Sequence, residues 1–230
     1  YSLINTHTVP DESLGADSPR KPLRIVSLAP NLTEIFFALG LGERIVAVSS
    51  GSNYPPAATE KPKVGTFWQP DAEAIIAARP DLVVGLRFEQ QKTAIDTLRR
   101  LGYRALMLRI ETIDELFAAV EEIGRATASE QAADEMISRM KTEIEGLKSR
   151  SSSANRVRVL WVVQTEPLRV AGRNTFISEL IELAGGQNDM GKTIQQYPQI
   201  DTEVLLGCMP EVIMQSAMAP ENINAQQKAA

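Results

Sequence analysis

The chain has 230 residues, 43% of them hydrophobic, enough to bury a substantial core as one large domain or two small ones. A formal charge of −5 and a pI near 5.1, with Lys and Arg scattered along the chain, exclude the basic footprint of a nucleic-acid binder. A single cysteine, Cys208, excludes an internal disulfide or a CxxC metal site, and a single histidine, His7, in a polar stretch near the start removes His-dependent triads and His-based metal sites from the folded part.

Tyr1 to Pro22 is polar, punctuated by proline and without periodicity. It reads as a flexible N-terminal tail, of the kind left as a tether when a targeting segment is removed, and so suggests export. From Leu23 the pattern becomes regular. Arg24 to Leu28 (RIVSL) reads as a buried strand, Asn31 to Leu39 as a helix closed by Gly40, and Arg44 to Val48 as a second strand. Trp68 to Val84 (WQPDAEAIIAARPDLVV) reads as a short helix with Asp71 and Glu73 in its first turn, a stop at Pro80, and a short buried strand. Gln90 to Leu101 is a helix, Ala105 to Leu108 a strand, and Thr112 to Ile123 a helix opened by the capping box Thr112-x-x-Glu115. Strands alternating with helices over residues 23–126 predict a lobe with a mostly parallel sheet covered on both faces.

A second capping box, Thr127-x-x-Glu130, opens a long amphipathic helix over residues 127–150, with apolar Ala133, Met136, Ile137, Met140, Ile144 and Leu147 at helical spacing. At about 1.5 Å per residue it is on the order of 30 Å long. It is expected to join two lobes as a stiff strut that permits little lobe movement. Residues 151–230 restart the programme: Arg158 to Val163 is a strand, and Thr175 to Ala184 a helix ending in Gly185-Gly186. Pro198 to Met214 (PQIDTEVLLGCMPEVIM) then repeats the earlier unit at a constant separation of 130 positions, pairing Gln69 with Gln199, Asp71 with Asp201, Glu73 with Glu203 and Pro80 with Pro210. The predicted fold is α/β, two Rossmann-like lobes with mostly parallel sheets joined by one long bridging helix. Cys208 falls on the apolar side of the second acidic helix and reads as a buried, inert thiol.

In an open parallel sheet, ligands bind beyond the carboxyl ends of the strands. Aromatic residues are 5% of the chain, yet Tyr54, Phe67, Trp68, Phe88 and Tyr197 all fall in the predicted loops at those ends, with Phe67 and Tyr197 at equivalent places in the repeat. Each taken singly can be packed under its own loop; as a set they predict an apolar cleft for a large, flat ligand. Arg87 and Arg173 are candidates for a negative group on that ligand, or solvated surface arginines. The acids Asp71, Glu73, Asp201 and Glu203 suit a catalytic pair only if the two copies lie close; as first-turn helix acids on two lobes, Glu73 and Glu203 better suit docking to a partner that is itself two-fold symmetric. An α/β enzyme finds little support: there is no His in the folded part, no GxGxxG after a strand and no phosphate loop.

The order and spacing of RIVSLAPNLTEIFFALGLGERIVAVSS, SNYPP, TFWQPDAEAIIAARPDLVVG, the long helix, AGRNTFISELIELAGGQN and YPQIDTEVLLGCMPEVIM cover roughly Leu23 to Gln215. Through them the chain resembles the helical-backbone (class III) substrate-binding proteins of ABC importers for cobalamin, haem and iron-siderophores, and is most similar to the cobalamin branch. The resemblance implies a periplasmic protein, or one tethered outside the cytoplasm through its tail, that is no enzyme and carries no cofactor of its own. Cobalamin, haem or a ferric siderophore is then the transported metal chelate. Tyr54, Trp68 and Tyr197 match cleft aromatics, and Glu73 and Glu203 match the glutamates that meet arginines on the permease dimer. Two departures stand out. Leu86-Arg87 stands where the cobalamin binders have a tryptophan, and Leu168 replaces an aromatic, which keeps haem open with Tyr54 as an axial donor. After Met214 the chain ends in SAMAPENINAQQKAA where the family continues, so the second lobe is expected to be incomplete.

Overall fold

Short runs of aliphatic and β-branched residues build the first sheet. The strands β1 (Ile25–Ser27), β2 (Ile45–Val48), β3 (Leu82–Leu86) and β4 (Ala105–Leu108) lie parallel in the order β2-β1-β3-β4. The structure, a computed structural model, describes residues 24–151, 156–191, 193 and 195–215; the tail predicted over Tyr1 to Pro22, with His7 and its tether, and the end from Ser216 to Ala230 lie outside the described residues. All five residues of β3 are buried, as a strand covered on both faces requires. On one face α1 (Pro30–Ala38), α4 (Ile113–Thr127) and α5 (Glu130–Ser151) pack Leu32, Phe36, Val120, Ile123 and Ile137 against Ile25 and Val84. On the other, α2 (Ala72–Ala77) and α3 (Glu89–Arg100) pack Ile75, Ile95 and Leu98 against Val26 and Val83. The chain thus leaves β1 toward one face and β3 toward the other, and opens a crevice between their carboxyl ends.

The second sheet is centred on β5 (Arg158–Thr165), which runs parallel to β7 (Gln187–Asn188) and β8 (Val212–Gln215), with the helices α6 (Phe176–Leu183) and α7 (Thr202–Cys208) between its strands. β5 continues past the predicted end at Val163 and folds back antiparallel onto β6 (Leu168–Val170). Gln164 and Thr165, beyond the predicted strand, are therefore ladder residues, paired with Arg169 and Leu168.

The capping box predicted at Thr127 is not formed. Thr127 is the last residue of α4, fully buried, and its hydroxyl donates back to the Ile123 carbonyl at 2.7 Å. Ala128 takes a left-handed conformation (φ 50°), and the long helix starts at Glu130. That tight turn sends α5 back along α4, with Gly124 so close to Ala133 that a Cβ on Gly124 would overlap the alanine methyl. At Thr112 the cap itself forms, its side chain accepting from Glu115 N at 3.1 Å, but the reciprocal half of the box is displaced by one residue: the Glu115 carboxylate accepts from Glu111 N at 2.8 Å rather than from Thr112 N.

Both copies of the repeat start their helices alike. Asp71 caps α2 by accepting from Glu73 N and Ala74 N at 2.9 and 3.1 Å, and Asp201 caps α7 by accepting from Val204 N at 2.9 Å. Their strands differ. Leu82, Val83 and Val84 are at most 1% exposed, whereas Val212, Ile213 and Met214 are 41, 59 and 41% exposed. β8, predicted as a buried strand, is therefore open, because α3 and β4, which cover β3, have no counterpart among the described residues. Cys208 is half-buried rather than buried, and what burial it has pushes its thiol above the usual range, away from thiolate reactivity. Because Asp71 serves two helix amides and Asp201 one, Asp71→Ala is expected to cost about 1 to 2 kcal/mol and Asp201→Ala about 0.5 to 1 kcal/mol, read from urea unfolding midpoints at a common m-value.

Candidate ligand-binding site

The loops at the carboxyl ends of β1 and β2 stand on a buried hydroxyl cluster. Thr33 Oγ1 lies 2.8 Å from Ser27 Oγ and 3.0 Å from Ser52 Oγ, which is itself 3.0 Å from Ser49 Oγ. All four residues are buried, and their hydroxyls are satisfied by one another and, for Ser27 and Thr33, by the Ala29 carbonyl at 3.2 and 3.1 Å. Lys63 Nζ donates to the Ser52 and Ala58 carbonyls at 2.9 and 3.0 Å, and desolvation lowers its pKa. Together these bonds fix the base of the loop that presents Tyr54, which is 64% exposed.

A turn then carries Phe67 and Trp68. Gly65 sits at φ 89°, where a Cβ would overlap the Gln69 carbonyl, so the turn closes only over glycine. Thr66 N donates to Gln69 O at 3.1 Å, and Gln69 N returns to Thr66 Oγ1 at 3.0 Å. Phe67 meets Trp68 and Phe88 edge-to-face at 4.7 and 5.2 Å, and Trp68 stands 6.3 Å from Phe88. Phe67 is partly buried on the first core, while Trp68 is 50% exposed, so the three rings form a wall rooted in the lobe.

The other predicted residues are distributed differently. Arg87 is turned to the edge of the sheet, where its Nε donates to Met107 O at 3.1 Å and it shares a cavity of about 330 Å³ with Lys92, Asp96, Arg99 and Glu122. The aromatic rings do not line that cavity. Arg173 is half-buried in the turn before α6, next to Asn174 at φ 63°. Tyr197 is on the second lobe, beside the first: burial, and then the negative charge of Glu111, push its phenol up. Glu73 and Glu203 are exposed in the first turns of α2 and α7, and neither carboxylate joins an ion pair among the described residues. Leu168 packs in the second lobe's core with Val162 and Val170.

Side chains that sequence reading passed over hold the lobes together. Gln196 Nε2 donates to Glu111 Oε2 of the first lobe and to Asn174 O of the second, both at 3.0 Å. Arg109 holds the same Glu111 oxygen at 2.7 Å and reaches Glu115 at 3.2 Å. This guanidinium holds the Glu111 carboxyl below the usual carboxylate range, against the desolvation that raises it. From the second lobe, Glu179 accepts from Ile113 N at the start of α4, at 2.6 Å. Glu179 lies in the predicted helix from Thr175, but nothing in the sequence marks it, Gln196 or Glu111 as a lobe contact beyond neighbouring Tyr197 and Thr112.

Residues 25–229 match a family model described as periplasmic binding protein. A vitamin B12-binding protein of Vibrio cholerae serotype O1 is 30% identical over 199 residues, 86% of this chain and 72% of its own. Among solved structures, the periplasmic vitamin B12 binding protein of Vibrio cholerae matches with a TM-score of 0.75 at 29% identity, over 90% of this chain and 83% of that one. The periplasmic haem-binding protein RhuT of Roseiflexus sp. RS-1 matches with a TM-score of 0.79 at 28% identity, over 87% of this chain and 78% of that one. The relatives are named as binding proteins, not enzymes.

The tie at Glu111 has a pH signature. A carboxylate whose folded pKa is depressed contributes stability that is fully present above its unfolded value of about 4.3 and is lost as pH falls through the lower folded value. Glu111→Gln is therefore expected to melt below the parent at pH 7, and the gap in Tm should close as both are acidified below about pH 4. A gap independent of pH would mean that the charge of Glu111 contributes nothing.

Proposed function

The chain belongs to the periplasmic binding protein family, and from that premise we propose that this substrate-binding component of an ABC importer carries cobalamin, held between its two lobes. The observation that supports the cargo is the aromatic wall of Phe67, Trp68 and Phe88. Edges and faces of rings at this spacing offer a large, flat macrocycle apolar area at little entropic cost, because each ring has only two soft dihedrals. Tyr197 is carried by the second lobe beside Gln196, and Tyr54 stands exposed on its loop. The sequence likeness points the same way, since a relative at 30% identity is a vitamin B12-binding protein.

Haem is the second reading. It is favoured by the exposed phenol of Tyr54 and by Leu168, whose place in the second core adds no ring to the cleft. Relatives of known structure at 28 and 25% identity bind haem. On either reading the chain captures and releases its ligand without transforming it, and it works in the periplasm. The two lobes offer equivalent exposed glutamates, Glu73 and Glu203, on helices of the same design. We read these as the contacts to a two-fold permease, each carboxylate entering one basic pocket.

Titration with cyanocobalamin and with haemin, following tryptophan fluorescence, tests the cargo. Saturable quenching by cyanocobalamin, weakened roughly tenfold by Trp68→Ala, is expected; quenching by haemin alone would move the assignment to haem, and none by either would remove the cleft. The docking reading is separate: Glu73→Ala with Glu203→Ala should leave ligand affinity within twofold and reduce uptake in reconstituted vesicles. A large loss of affinity would put these acids in the ligand site.

A further inference from the structure

We propose that Gln91 is the positioning residue of the first lobe's aromatic wall, and through it sets the affinity of the site; this rests on the cleft reading above. Gln91 lies in the first turn of α3, where a polar side chain ordinarily faces water, yet it is fully buried. It occupies the crevice between the carboxyl ends of β1 and β3, where ligands enter many open α/β sheets. Every hydrogen bond of its amide goes to backbone from a different segment. Oε1 accepts from Leu86 N at 2.9 Å, and Nε2 donates to Leu28 O and Phe67 O, both at 3.1 Å.

Three consequences follow from this geometry. The bonds satisfy groups at the ends of β1 and β3 that would otherwise be buried without partners. The two Nε2 protons serve two carbonyls, so a carboxylate in the same place would set oxygen against oxygen. The third segment is the turn of Phe67 and Trp68, whose own bonds between Thr66 and Gln69 close it on itself. Gln91 links that turn to the sheet ends, while Phe88, the residue that precedes α3, supplies the neighbouring ring. Gly85 leaves the room: a Cβ there would overlap Gln91 Oε1. A crevice filled by the protein's own amide cannot admit a ligand, so the lobe binds with the rings that the amide holds in place.

The test uses Gln91→Leu and Gln91→Glu in a Trp161→Phe background, which leaves Trp68 as the sole tryptophan. Two readouts need no ligand: acrylamide quenching of Trp68 and amide hydrogen exchange over residues 66–69. The expected result is a folded protein in which Trp68 is at least twofold more quenchable, exchange in the turn is at least tenfold faster, and affinity for cyanocobalamin or haemin falls at least tenfold. Leu98→Ala, which weakens α3 in the core without touching the amide, should leave the Trp68 readouts within error of the parent. Gly85→Ala, which crowds the amide but keeps it, should move them the same way by less. It is the deciding variant if the Gln91 substitutions do not fold. Folded variants with parental quenching and exchange overturn the proposal. A parent that binds neither ligand overturns the cargo reading instead, and leaves the Trp68 readouts to decide the role of Gln91.

Discussion

The placement of the two lobes depends on how the N-terminus of α4 is finished. The first amides of a helix have no partner within it, and the aligned peptide dipoles leave that end positive. In α4 the amide of Glu115 is served by Thr112, from within the first lobe, and the amide of Ile113 by the Glu179 carboxylate, from α6 of the second. One helix end is thus completed by both lobes. α4 turns directly into α5, and α5 leads to the second lobe, so the tie closes a circuit whose other limb is the bridging helix. The Gln196 bond to Glu111 lies two residues from Ile113 and reinforces the same junction. Parting the lobes would break this charge-assisted bond to a helix amide together with the Gln196–Glu111 bond, which opposes wide opening.

With the lobes held at their junction, the character of the cleft is decided by what each presents to it. The first lobe has its strand-end crevice closed by Gln91 and so offers ring edges instead of a pocket for a small polar group. In the second lobe the position equivalent to Thr66 is Gln196, and the position equivalent to Phe67 is Tyr197. Thr66 closes its own turn, whereas Gln196 reaches across to the other lobe. The same place in the repeat therefore shapes a local turn in one lobe and joins the lobes in the other.

Much of this was legible from local pattern, and the misses share one cause. The strand Ala105–Leu108, the cap at Thr112 and the helix from Thr175 to its stop at Gly185 follow from alternation, capping chemistry and a left-handed glycine, all contained within a few residues. Thr127 has the same local credentials as Thr112, but it is buried between helices and returns its hydroxyl to its own helix, which only the packing of α4 on α5 decides. Val212 to Met214 have the composition of a buried strand, and among the described residues no helix or strand covers their free side. Gln91 was invisible for the converse reason: a glutamine in the first turn of a helix looks solvated until three separate segments converge on it.

The repeated unit has kept one face and changed the other. Asp71 and Asp201 both cap their helices, and Glu73 and Glu203 both stand exposed in the first turn, so the two helix starts carry the same charge in the same frame. At the inner ends Phe67-Trp68 has become Tyr197-Pro198, and the Thr66 hydroxyl has become the Gln196 amide. A corrinoid or a haem has no two-fold axis relating its faces and edges, and a site built from two identical halves would match it on one side only. A pair of like subunits in a membrane has such an axis, and it is best met by two like contacts. A repeat whose capped helices are alike while its inner ends differ fits the proposed pairing of an asymmetric ligand on one side with a two-fold permease on the other.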